Sequence, residues 1–114
     1  MDYRCRDIVT VNLNPKKGDE VGKIRPAIIL SGDDENAILD TVIVLPLSTD
    51  LIEGMEPYRF RITQREGLRS DSDVLINHIR TLSKNRIGEK ISHISVDEYQ
   101  TIVGYLCQNF ILPS

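Results

Sequence analysis

Apolar and polar positions alternate over residues 7–13 (DIVTVNL), with Val9, Val11 and Leu13 on one side and Ile8, Thr10 and Asn12 on the other. That period of two predicts a strand with one well-buried face. Residues 26–30 (PAIIL) and 41–47 (TVIVLPL) are short, nearly continuous apolar runs, the pattern of strands buried in a core. SGDDEN between them predicts a turn, and Asn-Pro with two glycines marks residues 14–24 as a long loop. Residues 58–62 (YRFRI) alternate, placing Tyr58, Phe60 and Ile62 inward and Arg59 and Arg61 outward. Residues 73–82 (DVLINHIRTL) predict another strand, bent near Asn77, and 88–93 (GEKISH) a short edge strand.

The period changes near the C-terminus. Ser95-Val96-Asp97-Glu98 has the S-x-x-E pattern of a capping box, with two acids in the first turn. Tyr99, Ile102, Val103, Leu106 and Phe110 then fall on one face of a helix that Pro113 closes. A short helical turn is expected at Ser83–Arg86. The chain therefore reads as mainly β with helices, an α+β protein: a small, curled β-barrel covered by the C-terminal helix. Residues 1–114 fit a single domain with one modest core.

Composition narrows the setting. The longest apolar run, Val42–Leu47, is six residues and is broken by Pro46, too short to cross a membrane. The first residues, MDYRCRD, carry charge where a signal peptide needs an apolar stretch. Cys5 and Cys107 form neither a disulfide framework nor a CxxC site, so a reducing cytoplasm is the expected compartment.

The net charge of −3 argues at first against a nucleic-acid partner. It is strongly segregated, however. Residues 32–57 hold seven acids and no base, while residues 58–90 hold eight bases against four acids. Nine of the fourteen bases are Arg, whose planar fork matches phosphate oxygens. A fold that joins the basic stretches would make an anion-binding face despite the acidic total.

Familiar catalytic motifs are missing. GDEVGK (18–23) fails as a phosphate-binding P-loop because its glycines are one residue too close and Ile24 replaces the Ser/Thr. His78 and His93 have no evident third metal ligand, and neither a metal nor another cofactor is expected. The informative stretch is Gly18–Pro26. Pro26 biases Arg25 towards an extended backbone, so its guanidinium projects from the start of a buried strand, suited to an oxyanion. Ser48 and Thr49 offer hydroxyls just after the core strand ending at Leu47. They meet Arg25 only if the two strand ends align. The same residues also fit a structural ion pair at Arg25 and a helix N-cap at Ser48.

Taken together, these residues resemble the MazF/PemK family of toxin endoribonucleases, the mRNA interferases of bacterial toxin–antitoxin modules. The matching pattern runs through Asp7-Ile8-Val9-x-Val11-x-Leu13-x-Pro15, then Gly18-x-Glu20-x-Gly22-x-x-Arg25-Pro26-Ala27-Ile28-Ile29-Leu30-Ser31. It continues in Val44-x-Pro46-Leu47-Ser48-Thr49 and Ile79-Arg80-Thr81-x-x-Lys84-x-Arg86-Ile87. The resemblance implies an SH3-like small β-barrel of the CcdB/PemK type with a C-terminal helix, acting as a homodimer. It implies metal-independent cleavage of single-stranded RNA, usually mRNA, at a short recognition sequence, and a cognate antitoxin with a disordered acidic tail. The family's catalytic Arg and Thr/Ser fall on Arg25 and Ser48, with Thr49 as the fallback for the hydroxyl. Arg6 stands where the family usually has Gly, and the resemblance leaves open whether it touches RNA or marks a variant start of the first strand.

Such chemistry uses the RNA's own 2′-OH as nucleophile and leaves a 2′,3′-cyclic phosphate and a 5′-OH. Arg25, always protonated, suits an electrostatic clamp on the phosphorane and a proton donor to the leaving 5′-oxygen rather than a base. Ser48 would bond a non-bridging oxygen or orient the 2′-OH, and Glu20 is the candidate base, with a solvated loop carboxylate as its other reading. Lys16, Lys17 and Lys23 are candidates for phosphate contacts, and Thr49, Asn77, His78 and Arg80 for further RNA contacts. The alternative function on the same fold is a CcdB-like gyrase-inhibiting toxin without nuclease activity. A catalytically silent binding module is the second alternative.

Overall fold

The computed structural model describes residues 2–13 and 24–111. Seven strands form one curled, antiparallel sheet: β1 (Asp7–Asn12), β2 (Ile24–Ile29), β3 (Thr41–Ser48), β4 (Arg59–Ile62), β5 (Ser72–Leu75), β6 (Arg80–Ser83) and β7 (Ile87–His93). Helix α1 (Asp33–Ile38) links β2 to β3, and α2 (Val96–Leu106) follows β7, continuing into a π-helical turn at Cys107–Ile111. The strand order is β4-β5-β3-β2-β1-β7. Long β3 serves two partners along one edge: Thr41–Val44 pair with β6, and Leu47–Ser48 pair with β5. The 3₁₀ turn Lys84–Arg86 joins β6 to β7, so the sheet curls round from β3 to β1 as the barrel reading expects.

The curl gives β1 two buried faces rather than the single one its alternation suggests. Ile8 packs with Ile28, Leu45, Leu47 and Val74 beneath Ile102 and Leu106 of α2. Val9 and Val11 face the opposite way, into a second cluster with Ala27, Ile29, Val42, Val44 and Leu82. The continuous apolar runs of β2 and β3 follow from this, because successive residues enter different clusters. The capping box starts α2 as predicted: Ser95 Oγ accepts the Glu98 N–H at 3.0 Å, and Glu98 accepts the Ser95 N–H at 2.8 Å.

Four local expectations need correction. SGDDEN is not a simple turn, since Asp33–Ile38 is helical. Glu35 accepts the Gly32 N–H, three acids sit in the first turn, and buried Asn36 bonds Ser31 and the Tyr3 carbonyl. Tyr58 lies just outside β4 and is 50% exposed, whereas Phe60 packs edge-to-face on Tyr105. The segment 73–82 is two strands separated by a 3₁₀ turn at Ile76–His78, which turns the chain from the β5 half of β3 to the β6 half. Phe110 lies beyond α2, in the π-helical turn, and is 55% exposed.

Arg6 has φ 77°, the left-handed region that favours glycine. Its backbone ties β1 to its neighbours through Arg6 N–H to Ile29 O and Ile94 N–H to Arg6 O, both 2.9 Å. Its guanidinium donates to the Ile94 carbonyl at 3.0 Å. Arg6 thus enters β1 in a left-handed conformation with its side chain held on a backbone carbonyl. Among the described residues no helix is long and apolar enough to cross a membrane.

Candidate active site

Two prolines open the site. The β2–β3 ladder runs from Ile29↔Val44 through Ile28↔Leu45 and ends at Ala27↔Pro46. Pro26 lacks the N–H that would extend it to Leu47, and Pro46 lacks one on the opposite edge of β3, between its pairings with β6 and β5. Past that point lies a groove of about 680 Å³, with Leu13, Pro46, Leu47 and Leu75 as its apolar lining and Arg25, His78, Arg80 and Thr81 as its polar lining. Among the described residues no acid contributes to that lining. A second cleft of about 300 Å³ is bounded by Arg25, Leu47, Thr49 and Ser72.

Arg25 pairs with Val11 across β1, so its backbone is held by a strand on the closed side of the sheet. Its side chain is partly buried and makes no ion pair or hydrogen bond with another described residue. The ion-pair alternative for Arg25 thus finds no partner among the described residues. Ser48 ends β3, and continuing the β2–β3 register by two residues aligns it with Arg25 on the same face. No described helix begins at Ser48; its Oγ instead accepts the Asp50 N–H at 3.1 Å, which leaves the hydroxyl proton free to donate. Thr49 is exposed and borders the second cleft with Arg25.

His78 and Arg80 enter the main groove from the 3₁₀ turn and β6. Asn77 is not part of that lining; its Oδ1 receives a long contact from Asn109 Nδ2 at 3.5 Å. Glu20, Lys16, Lys17 and Lys23 lie outside the described residues. Among the described residues no three His, Cys, Asp or Glu side chains gather as a group of metal ligands.

The basic stretch 58–90 does not join Arg25 as a whole. Arg59 and Arg61 both bind Asp73, whose side chain is 2% exposed, at 3.1 and 2.7 Å, and Arg61 also meets Glu53 at 2.8 Å. Arg65 forks onto Glu98 with bonds of 2.7 and 2.8 Å. Burial alone would push the Asp73 carboxyl up, but hydrogen bonds from Arg61, the Ile52 N–H and Arg59 together hold it below its usual value. The Arg65 fork, working against burial, brings Glu98 down to about 2. Thr81 and Leu75 were missed as groove residues because their placement depends on how the 3₁₀ turn redirects the chain.

A small curled sheet whose strand ends present an arginine without a partner among the described residues sets the class, and comparison with known proteins makes it specific. Residues 4–110 match the PemK-like, MazF-like toxin of type II toxin–antitoxin systems. Endoribonuclease MazF of Staphylococcus saprophyticus is 36% identical over 93 residues, covering 81% of this chain and 78% of its own. The Mycobacterium tuberculosis toxin MazF-mt6 superposes with a TM-score of 0.79 at 21% identity, covering 96% of this chain and all of its own. MazF from a MazE–MazF complex of Deinococcus radiodurans gives 0.79 at 24% identity, covering 95% of each chain. The chain belongs to the PemK/MazF toxin family, and the fold expected from the resemblance is the one observed.

Proposed function

We propose that this protein is an endoribonuclease of a toxin–antitoxin module that cuts single-stranded RNA, chiefly mRNA, at a short recognition sequence. The observation that carries the reading is Arg25: partly buried, without a partner among the described residues, in a groove whose described lining also holds Arg80 and His78 and no acid. A cation already neutralised by a carboxylate could offer little to a phosphorane, whereas a held and unpaired one is preorganised for it. The 2′-OH attacks the adjacent phosphorus, the 5′-oxygen leaves, and the products carry a 2′,3′-cyclic phosphate and a 5′-OH. Because the nucleophile belongs to the substrate, the protein needs only to orient it, clamp the charge and handle two protons.

Arg25 clamps the non-bridging oxygens and donates the proton that the departing 5′-oxygen takes up, while the 2′-OH proton passes to Glu20. Ser48 donates its hydroxyl proton to one of them, in keeping with its alignment with Arg25 and with the amide that occupies its lone pair. Thr49, His78, Arg80 and Asn77 meet bases and flanking phosphates. Lys16, Lys17 and Lys23 add phosphate contacts, and Glu20 is the base. Residues 1–114 act as one toxin domain in a homodimer in the cytoplasm, and an acidic antitoxin segment competes with RNA for the groove. The MazE–MazF complexes among the structural neighbours support an antitoxin partner.

The test is to incubate purified protein with a long RNA in EDTA and map the ends. Discrete cuts with cyclic-phosphate ends, lost in Arg25→Ala, are expected. Intact RNA together with poisoned gyrase would replace this reading with the CcdB-like one. Loss of cleavage in Ser48→Ala with retention in Ser48→Thr assigns the hydroxyl, whereas wild-type activity in Ser48→Ala moves the role to Thr49.

A further inference from the structure

Asp73 is an oddity for a small core. Its carboxylate is almost fully buried, yet nothing proposed for RNA cleavage uses it. Buried ion pairs often add little stability over apolar residues of similar size, so stability alone does not account for it. Its neighbours supply one. On β5, Asp73 sits directly across from Ser48 in the β3–β5 register. Oδ2 accepts the Ile52 N–H at 3.0 Å and Arg59 Nη1 at 3.1 Å, and Oδ1 accepts Arg61 Nε at 2.7 Å. Three donors fill the two oxygens, each fixing a different part of the chain.

The bonds then lead on. Arg59 Nη1 also donates to the Asp50 carbonyl at 2.9 Å, and the Asp50 N–H is the group that donates to Ser48 Oγ at 3.1 Å. Arg61 holds Glu53 at 2.8 Å and the Ile52 carbonyl at 3.4 Å. The turn that follows β3 is thus pinned at Asp50, Ile52 and Glu53, all referred to one buried carboxylate. Asp50 is otherwise an exposed turn residue, free to move its amide and the serine hydroxyl with it.

We infer that Asp73 is a positioning residue for RNA cleavage: through Arg59 and Asp50 it holds the rotamer of Ser48 that presents the hydroxyl proton to the phosphate oxygen clamped by Arg25. This rests on the role proposed for Ser48, and a misplacement of about 1 Å in such a group can cost as much as a hundred-fold in rate. Asp73 touches no substrate atom. It acts on kcat and leaves RNA affinity alone, because the cations of the groove, Arg25 and Arg80, are not its partners.

The test is a double-mutant cycle between Asp73→Asn and Ser48→Ala, read as kcat and KM in EDTA on an RNA oligonucleotide carrying a mapped cut site. Asp73→Asn is expected to lower kcat by roughly ten-fold or more with KM within about two-fold. In the Ser48→Ala background the same change should have no further effect on kcat. An equal loss in both backgrounds, or an unchanged kcat in the first, overturns the inference. Should Asp73→Asn fail to fold, Arg59→Lys keeps the charge while losing the Nη1 bridge between Asp73 and the Asp50 carbonyl, and the same non-additivity with Ser48→Ala is expected. Ser48→Ala at wild-type activity would instead show that the proposed role of Ser48 had failed, independently of how Asp73→Asn behaves in the wild-type background.

Discussion

Two groups of arginines divide this protein. On the β4–β5 side, Arg59, Arg61 and Arg65 each hold a carboxylate, and those carboxylates are buried or serve as a helix cap. At the splayed ends of β2 and β3, Arg25 has no partner among the described residues, and Arg80 shares its groove. The residue type is the same in both places, but the first group spends its hydrogen bonds on the fold, whereas the side chains of the second make none with the described residues. Pairing state, rather than the number of bases in a stretch, decides which cations an anionic polymer can reach.

The comparison breaks most visibly if Arg25 proves dispensable. Arg25→Ala is expected to reduce RNA cleavage by roughly a hundred- to a thousand-fold, the cost of removing a preorganised donor from a developing oxyanion. Its melting temperature should stay within a few degrees of wild type, because no ion pair among the described residues is lost. Arg25→Lys should recover only part of the rate, since it restores the charge without the fork. End-mapped cleavage in EDTA beside a thermal melt separates the outcomes. A variant that cuts normally, or one that simply unfolds, would place Arg25 in the structural group.

Arg65 and Glu98 should behave in the opposite way. Glu98→Gln removes the carboxylate that both caps α2 and receives the Arg65 fork, and should cost about 2 kcal/mol of stability. Activity per folded molecule should not change. The pH dependence follows from the carboxyl being held down to about 2. A carboxylate lowered in the folded state stabilises fully above its ordinary value, and that stability is lost as pH falls towards the folded value. Wild-type protein should therefore lose stability as pH falls from the ordinary carboxyl range towards about 2, and Glu98→Gln should show a shallower loss over that window. Urea midpoints at successive pH values measure it, and parallel curves would mean that the fork contributes nothing.

Much of the fold is legible in the residue pattern because its signals are local. The apolar runs of β2 and β3 report strands buried on both faces, and Ser95 with Glu98 starts α2 through two hydrogen bonds three residues apart. Arg25-Pro26 is local too. What the pattern hides is pairing between distant residues. Helix α1 is a polar stretch made helical partly by Asn36 bonding the Tyr3 carbonyl, 33 positions away. The outward arginines of β4 read as a basic face because their alternation is visible and Asp73, on the neighbouring strand, is not. The same blindness concealed the division of β3 between β5 and β6, which sets the groove's far wall.

A finer contrast lies within the groove itself. Arg80 is exposed, whereas Arg25 is partly buried beside two prolines, so Arg80 should act on binding and not on chemistry. Arg80→Ala is expected to weaken RNA binding by roughly a few-fold and to flatten the dependence of log affinity on log salt by about 0.7. Single-turnover cleavage at saturating protein should stay near wild type. Fluorescence anisotropy on a labelled RNA at several salt concentrations measures the slope. An unchanged slope would remove Arg80 from the phosphate contacts.

Arg6 belongs to neither group, and its replacement should have the smallest effect. Its side chain bonds a backbone carbonyl, and its φ of 77° is one that glycine adopts without strain. Arg6→Gly relieves about 1 kcal/mol of left-handed strain. It also loses a hydrogen bond worth about 1 kcal/mol and makes the unfolded chain more flexible by roughly 0.5–1 kcal/mol. These oppose one another, so stability should move by less than about 1 kcal/mol, with glycine slightly the worse. Cleavage should be unchanged, because Arg6 lines neither the groove nor the smaller cleft beside Arg25. A loss of RNA affinity in Arg6→Gly without a matching loss of stability would move this arginine from the fold to the substrate, and the boundary between the two groups would have to be redrawn around it.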